Sequence, residues 1–207
     1  MRQAGMIEAV ETKTDPTPFS SDVANAVLNR LTFGVVVVDE AARILSANEQ
    51  ARLYLDVGDG VLDEAGRLAA EIGFESETLR RRIAAAAETG RSDAALLRRS
   101  RSAKPLVILI EPAPALTGER AVLVTIREVG RASPRVAERA RQLFHFSPAE
   151  AEIVARVVQG LDTAEIAAER QVSINTLRVQ VASAMVKVGV HRQAELVSVL
   201  SSVDMLD

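Results

Sequence analysis

The sequence predicts an α+β protein: an antiparallel sheet with helices over residues 21–129, followed by an all-α, four-helix unit over residues 144–207. Three observations predict it. Val/Ile/Leu-rich runs bounded by turn residues recur as far as Val129 and read as strands. Beyond Pro134 the apolar residues fall at three- and four-residue spacing, the period of a helix. In that second region Ser147 and Asp162 are each followed three positions later by a glutamate, Glu150 and Glu165, a pattern that starts helices. At 207 residues and 48% hydrophobic content, the chain is long enough for two small domains with real cores.

Residues 1–20 mix Arg2, Glu8, Glu11, Lys13 and Asp15 with Pro16 and Pro18. They have no apolar core of signal-peptide length and are expected to form a disordered leader. Residues 33–39 and 43–46 are β-rich and flank the turn-like stretch Asp39-Glu40-Ala41-Ala42, which predicts a hairpin. Asn48 then opens a short helix reaching about Leu55. A second helix is expected over residues 77–88, where Leu79, Ile83 and Ala86 or Ala87 share a face and Gly90 stands where a left-handed cap belongs. Residues 106–110 and 121–126 close the region as two strands, with Pro and Gly in the loop 112–118 between them. This order of hairpin, short helices and further strands resembles the PAS sensor fold over residues 21–129. The resemblance implies a domain that senses a small-molecule ligand or a protein partner.

Several chemistries are excluded. The absence of cysteine removes disulfides, thiolate metal sites, cysteine nucleophiles and a cysteinyl-flavin adduct. The two histidines, His145 and His191, lie in or beside the C-terminal region, so the sensor region has none to ligate haem. With no tryptophan and Tyr54 as its one tyrosine, the chain lacks the aromatic set of acyl-homoserine-lactone pockets; no cofactor is expected. Asp39 after Val35–Val38 resembles the phosphoacceptor of a receiver domain. Yet the strand is the first in the chain and turns at once, so Asp39 reads as a hairpin residue. Arg80, Arg81 and Arg82, and likewise Arg98, Arg99 and Arg101, share their segments with Glu75, Glu77, Glu88 and Asp93 and read as solvated faces. No carboxylate pair, phosphate loop, metal cluster or nucleophile–base arrangement stands at useful spacing, so an enzyme is not expected. The apolar run 35–38 is far too short to cross a bilayer, and a cytoplasmic protein without membrane contact is expected.

Ser133 and Pro134 mark a hinge, and residues 136–143 a helix, so 130–143 reads as a linker helix between two domains. Ser147, Pro148 and Glu150 then give an N-cap, a first-turn proline and a capping glutamate; Gly160 ends that helix. Asp162 and Glu165 start a short helix containing Ile166, and Ser173 caps a third over residues 174–188. Ile174, Leu177, Val181, Ala184, Met185 and Val188 line one side of it and are expected in the core. The other side presents Asn175, Val179, Ala182, Ser183 and Val186, flanked by Thr176, Arg178 and Gln180. Residues 193–203 form a fourth helix carrying Leu196, Val197, Val199 and Leu200.

The segments Leu161-Asp162-Thr163-Ala164-Glu165-Ile166-Ala167, Val172-Ser173-Ile174-Asn175-Thr176-Leu177-Arg178 and Lys187-Val188-Gly189-Val190 together resemble the LuxR-type helix-turn-helix family. That resemblance implies double-stranded DNA as partner, with Thr176, Arg178 and Val179 in the major groove. Arg178 is the leading candidate for a base contact and Val179 for a thymine methyl. Ser173, Asn175, Ala182 and Ser183 complete the DNA-binding set, and Lys187 supports the backbone contact. The final helix resembles a dimer-forming element, which implies a homodimer. Residues 181–184 carry no positive charge where many relatives place a basic residue, and net charge is −3, so fewer phosphate contacts and a shallower salt dependence are implied. Two functions follow: a sequence-specific transcription regulator whose sensor controls the output domain, or a regulator acting mainly by protein–protein interaction with weak DNA binding of its own.

Overall fold

A computed structural model describes residues 21–113, 120–130 and 135–203. The expected leader, most of the loop at 112–118, and the hinge residues Ser133 and Pro134 lie outside the described residues. Helix α1 (Ser21–Leu28) precedes the hairpin of strands β1 (Gly34–Val38) and β2 (Ile44–Ala47). Asp39 shapes the turn, its Oδ1 accepting from the N–H groups of Ala41 at 2.9 Å and Arg43 at 2.8 Å, as an aspartate does in an Asx turn. Helix α2 (Glu49–Val57), a small hairpin of β3 (Val61–Asp63) and β4 (Leu68–Ala70), and helix α3 (Gly73–Thr89) follow. Strands β5 (Asp93–Leu97), β6 (Leu106–Pro112) and β7 (Val122–Glu128) complete a five-stranded antiparallel sheet of order β2-β1-β7-β6-β5. With α2 and α3 packed on one face, this is the PAS-like arrangement expected from the sequence.

The period of two along each strand decides which side chains meet the helices. Val36 stands opposite Val124, which stands opposite Ile110; all three are fully buried. They meet Ala51 and Tyr54 of α2 and Leu79, Ile83 and Ala86 of α3 in one core. Each buried aliphatic side chain contributes about 1.5–3 kcal/mol of transfer free energy. The alternate residues point to the other face, where Leu109 is 37% and Leu96 63% exposed.

Three differences from the sequence reading have physical reasons. Helix α3 starts at Gly73, four residues before expected, with Ile72 as its cap position and Ser76 buried inside its first turn, where no side-chain cap marks the start. Strands β3 and β4 have three residues each, too few to show a period. Strand β5 pairs with β6 at the sheet edge, and four of its five residues are exposed or half-buried, so its composition is weakly strand-like.

Asn48 joins three elements of this domain. It caps α2, its Oδ1 accepting from Ala51 N at 2.9 Å and from Val35 N of β1 at 2.8 Å. Its Nδ2 donates to the carbonyls of Leu28 at 2.9 Å and Phe33 at 3.0 Å. At the same strand end of the sheet Arg99 binds two carboxylates, Asp59 through Nε at 2.7 Å and Glu128 through Nη1 at 2.6 Å. Asp59 is 4% exposed. Burial opposes its charge, but the N–H of Arg101 and the Arg99 guanidinium more than compensate and hold its carboxyl below the usual range.

The second unit consists of α4 (Val136–Phe144), α5 (Pro148–Val158), α6 (Thr163–Glu169), α7 (Ile174–Val188) and α8 (Gln193–Val203). Helix α4, read from sequence as a linker, places Val136 and Ala140 in the core of this unit beside Ile153, Leu196 and Leu200. Packing between the two units is sparse. Lys104 Nζ donates to the carbonyl of Gln159 at 2.7 Å. Gly130, at φ +70, lies so close that a Cβ there would stand 3.0 Å from the same oxygen. Among the described residues, no helix is long and apolar enough to cross a membrane.

The Asn48 junction yields a prediction. Asn48→Ala removes the cap and leaves the amides of Val35 and Ala51 unpaired, so unfolding free energy should fall by about 3 kcal/mol. Urea denaturation followed by circular dichroism measures it, and a loss under about 1 kcal/mol would mean that water replaces the side chain.

Candidate nucleic-acid interface

The C-terminal unit is assembled by its caps. Ser147 Oγ accepts from Glu150 N at 3.3 Å while Glu150 Oε2 accepts from Ser147 N at 2.8 Å. Asp162 and Glu165 repeat this reciprocal pairing at the start of α6. Arg170 and the left-handed Gln171 (φ 55) form the turn into Ser173, whose Oγ accepts from Thr176 N at 3.0 Å and opens α7. Helices α6 and α7 pack against each other and both against α5, the geometry of a helix-turn-helix.

Within α7, Leu177, Val181 and Ala184 are buried, and Met185 and Val188 pack against the same core, as expected. Ile174 is not in the core; it is 43% exposed, because a residue that opens a helix has packing neighbours on one side only. Together with Val172, 37% exposed, it forms an apolar edge beside the helix start.

The structure divides the sequence-derived interface residues into two groups. Asn175, Arg178, Val179 and Ala182 are exposed on the outer side of α7, with Val179 63% and Val186 79% accessible. Arg178 makes no hydrogen bond or ion pair among the described residues. By contrast Arg156 is paired with both Glu152 and Glu169, Arg170 with Glu152 and Arg192 with Glu195. Ser173 and Thr176 are also exposed, but their hydroxyls lie 2.7 Å apart and satisfy each other.

Ser183 and Lys187 form the second group. Ser183 Oγ donates to Glu150 Oε1 at 2.8 Å, and Lys187 Nζ donates to Glu150 Oε2 at 2.6 Å and to the His145 carbonyl at 3.2 Å. Their polar atoms are spent inside the domain, fixing α7 against the start of α5. Glu150 is the residue sequence reasoning valued too little. The capping pattern revealed its local partner Ser147, and nothing in the sequence signalled partners 33 and 37 positions away. Burial raises its carboxyl, but hydrogen bonds from Lys187, Ser147 and Ser183 outweigh this and lower it to about 2.

With this geometry established, residues 145–200 match the model of the bacterial regulatory proteins of the luxR family. The C-terminal unit is a LuxR-type helix-turn-helix domain. No curated protein matches the chain. Among solved structures, the chain is similar to a VqmA–ligand–DNA complex of Vibrio cholerae, at 13% identity over 91% of this chain and 90% of that one, TM-score 0.42. It is also similar to the PAS domain of nitrogen regulation protein NR(II) from Vibrio parahaemolyticus, at 17% identity over 52% of this chain and 98% of that one, TM-score 0.36. A third is a LOV protein of Rhodobacter sphaeroides, at 17% identity over 78% of this chain and 95% of that one, TM-score 0.38.

The pH dependence of stability tests the Glu150 junction. A carboxyl lowered from 4.5 to about 2 contributes stability that is complete above about pH 4.5 and lost as pH falls toward 2. Glu150→Gln keeps a capping acceptor but removes the charge opposite Lys187. It should lower unfolding free energy at neutral pH by on the order of 2 kcal/mol, a value discounted because Lys187 is partly solvated. Urea midpoints between pH 7 and pH 2 should show the wild-type acid loss flattened in the variant; parallel curves would remove Glu150 from this role.

Proposed function

We propose that the protein is a sequence-specific DNA-binding transcription regulator in which the PAS-like domain controls the LuxR-type output domain. The observation that carries this reading is the exposed outer face of α7, where Arg178 has no partner among the described residues and therefore loses no ion pair on meeting DNA. An arginine bidentate to guanine contributes about 1–3 kcal/mol of base discrimination. Val179 and Ala182 offer apolar contact to thymine methyl groups, and Asn175 offers hydrogen bonds beside them. Ser173 and Thr176 lie at the helix N-terminus, where amides favour phosphate. Ser183 and Lys187 serve this interface by orienting α7.

The small number of free cations on this face makes one copy a weak binder, because phosphate neutralisation dominates affinity. Two copies on adjacent half-sites restore it, so the working form is a homodimer, placed in the cytoplasm with the DNA it reads. The exposed Val179 and Val186 also suit a protein partner, and that is the second reading.

Retention of genomic fragments by purified protein at two salt concentrations, beside Arg178→Ala, separates the two. Selective enrichment is expected for the wild type, with affinity for the enriched site falling at least about tenfold in the variant. If no fragment exceeds background at low salt, the DNA reading fails and the protein-partner reading replaces it.

A further inference from the structure

Between the outer face of the sensor sheet and the C-terminal unit lies a cavity of about 570 Å³, within the size range of small-molecule sites. Its two walls come from different units. On the sensor side, Val107 and Leu109 of β6 and the ring of Phe33 give an apolar floor. Arg127 of β7 lines the same wall, its guanidinium carbon 4.5 Å from the centre of the Phe33 ring. Stacking fixes the plane of the guanidinium and leaves its edge donors free. Among the described residues Arg127 has no carboxylate partner. Glu128, which also lines the cavity, has its charge met by Arg99.

The opposite wall is the outward face of α8, represented by Ser198 and Ser201. Both are exposed, and neither hydroxyl has a partner among the described residues. A planar guanidinium and two free hydroxyls thus line one cavity with an apolar floor. An anion that uses both needs two acceptor oxygens, and an apolar body to cover Phe33, Val107 and Leu109. We propose that this cavity binds a small amphipathic carboxylate, held by Arg127 from the sensor and by Ser198 and Ser201 from α8. A charge-assisted pair with arginine is the stronger contact, and the serines make binding depend on the second unit. Because direct packing between the units is sparse, an occupant touching both stabilises their docked arrangement by mass action.

The test is calorimetric titration of the full chain with 4-phenylbutyrate and octanoate, and with 4-phenylbutanol and octanol as uncharged counterparts. It needs no DNA, so its outcome stands apart from the DNA-binding reading. Saturable binding of one carboxylate is expected, at least about tenfold tighter than its alcohol and at least about tenfold weaker in Arg127→Met, the scale of a lost charged hydrogen bond. Ser201→Trp, which fills the cavity from the other unit, should abolish it. Circular dichroism melts confirm that both exposed-site variants fold. No saturable binding of either carboxylate at millimolar concentration overturns the proposal, as does binding that survives Arg127→Met. Binding lost in Arg127→Met but intact in Ser201→Trp also overturns it, by placing the ligand on the sensor alone.

Discussion

The orientation of α7 depends on one carboxylate. A capping glutamate is ordinarily satisfied within its own first turn, and Glu150 meets that need through Ser147. Its oxygens are also shared with Ser183 and Lys187 on α7, so the start of one helix and the second half of another are fixed by the same group. The desolvation cost of burying the charge is offset because several donors converge on it, the condition under which a buried ion pair is tolerated. Rotation of α7 about its axis would break two of these bonds at once. The face carrying Asn175, Arg178, Val179 and Ala182 is therefore aimed by contacts made on the opposite side of the helix.

The PAS-like domain is built on an equivalent economy. Its first strand pairs with its last, Val36 opposite Val124, so the sheet closes only when the chain returns from β6. Asn48 fixes the start of that arrangement by serving β1, α2, the end of α1 and the segment after it through one amide side chain. Arg99 adds a second tie at the same strand end, joining β7 to the loop at Asp59. One face of the sheet is closed by α2 and α3, and the other keeps partly exposed apolar side chains.

Much of this was legible in the sequence, and the parts that were not share a cause. The caps at Asn48, Ser147, Asp162 and Ser173, the end of α3 at Gly90 and the extents of α7 and α8 are local features, written in spacings of three and four residues. The short β3 and β4 and the solvated edge strand β5 carry little hydrophobic pattern, because their burial is decided by neighbours distant in sequence. The same distinction divides the candidate interface. Arg178 and Val179 could be placed on the outer face from periodicity alone. Ser183 and Lys187 share that periodicity, but a helical wheel does not show that α5 brings a carboxylate to meet them.

The sparse join between the units has a consequence for how the molecule responds. A solvent-exposed hydrogen bond such as that from Lys104 to Gln159 contributes about 0.5–1.5 kcal/mol net, little more than thermal energy. An arrangement held by terms of that size is poised, with its populations set by small differences and not by a deep well. A ligand that favours one arrangement and is present at about ten times its Kd would supply about 1.4 kcal/mol, comparable with the join itself. The grip between the halves is weak where each half is internally firm, so small differences in free energy decide how the two are arranged.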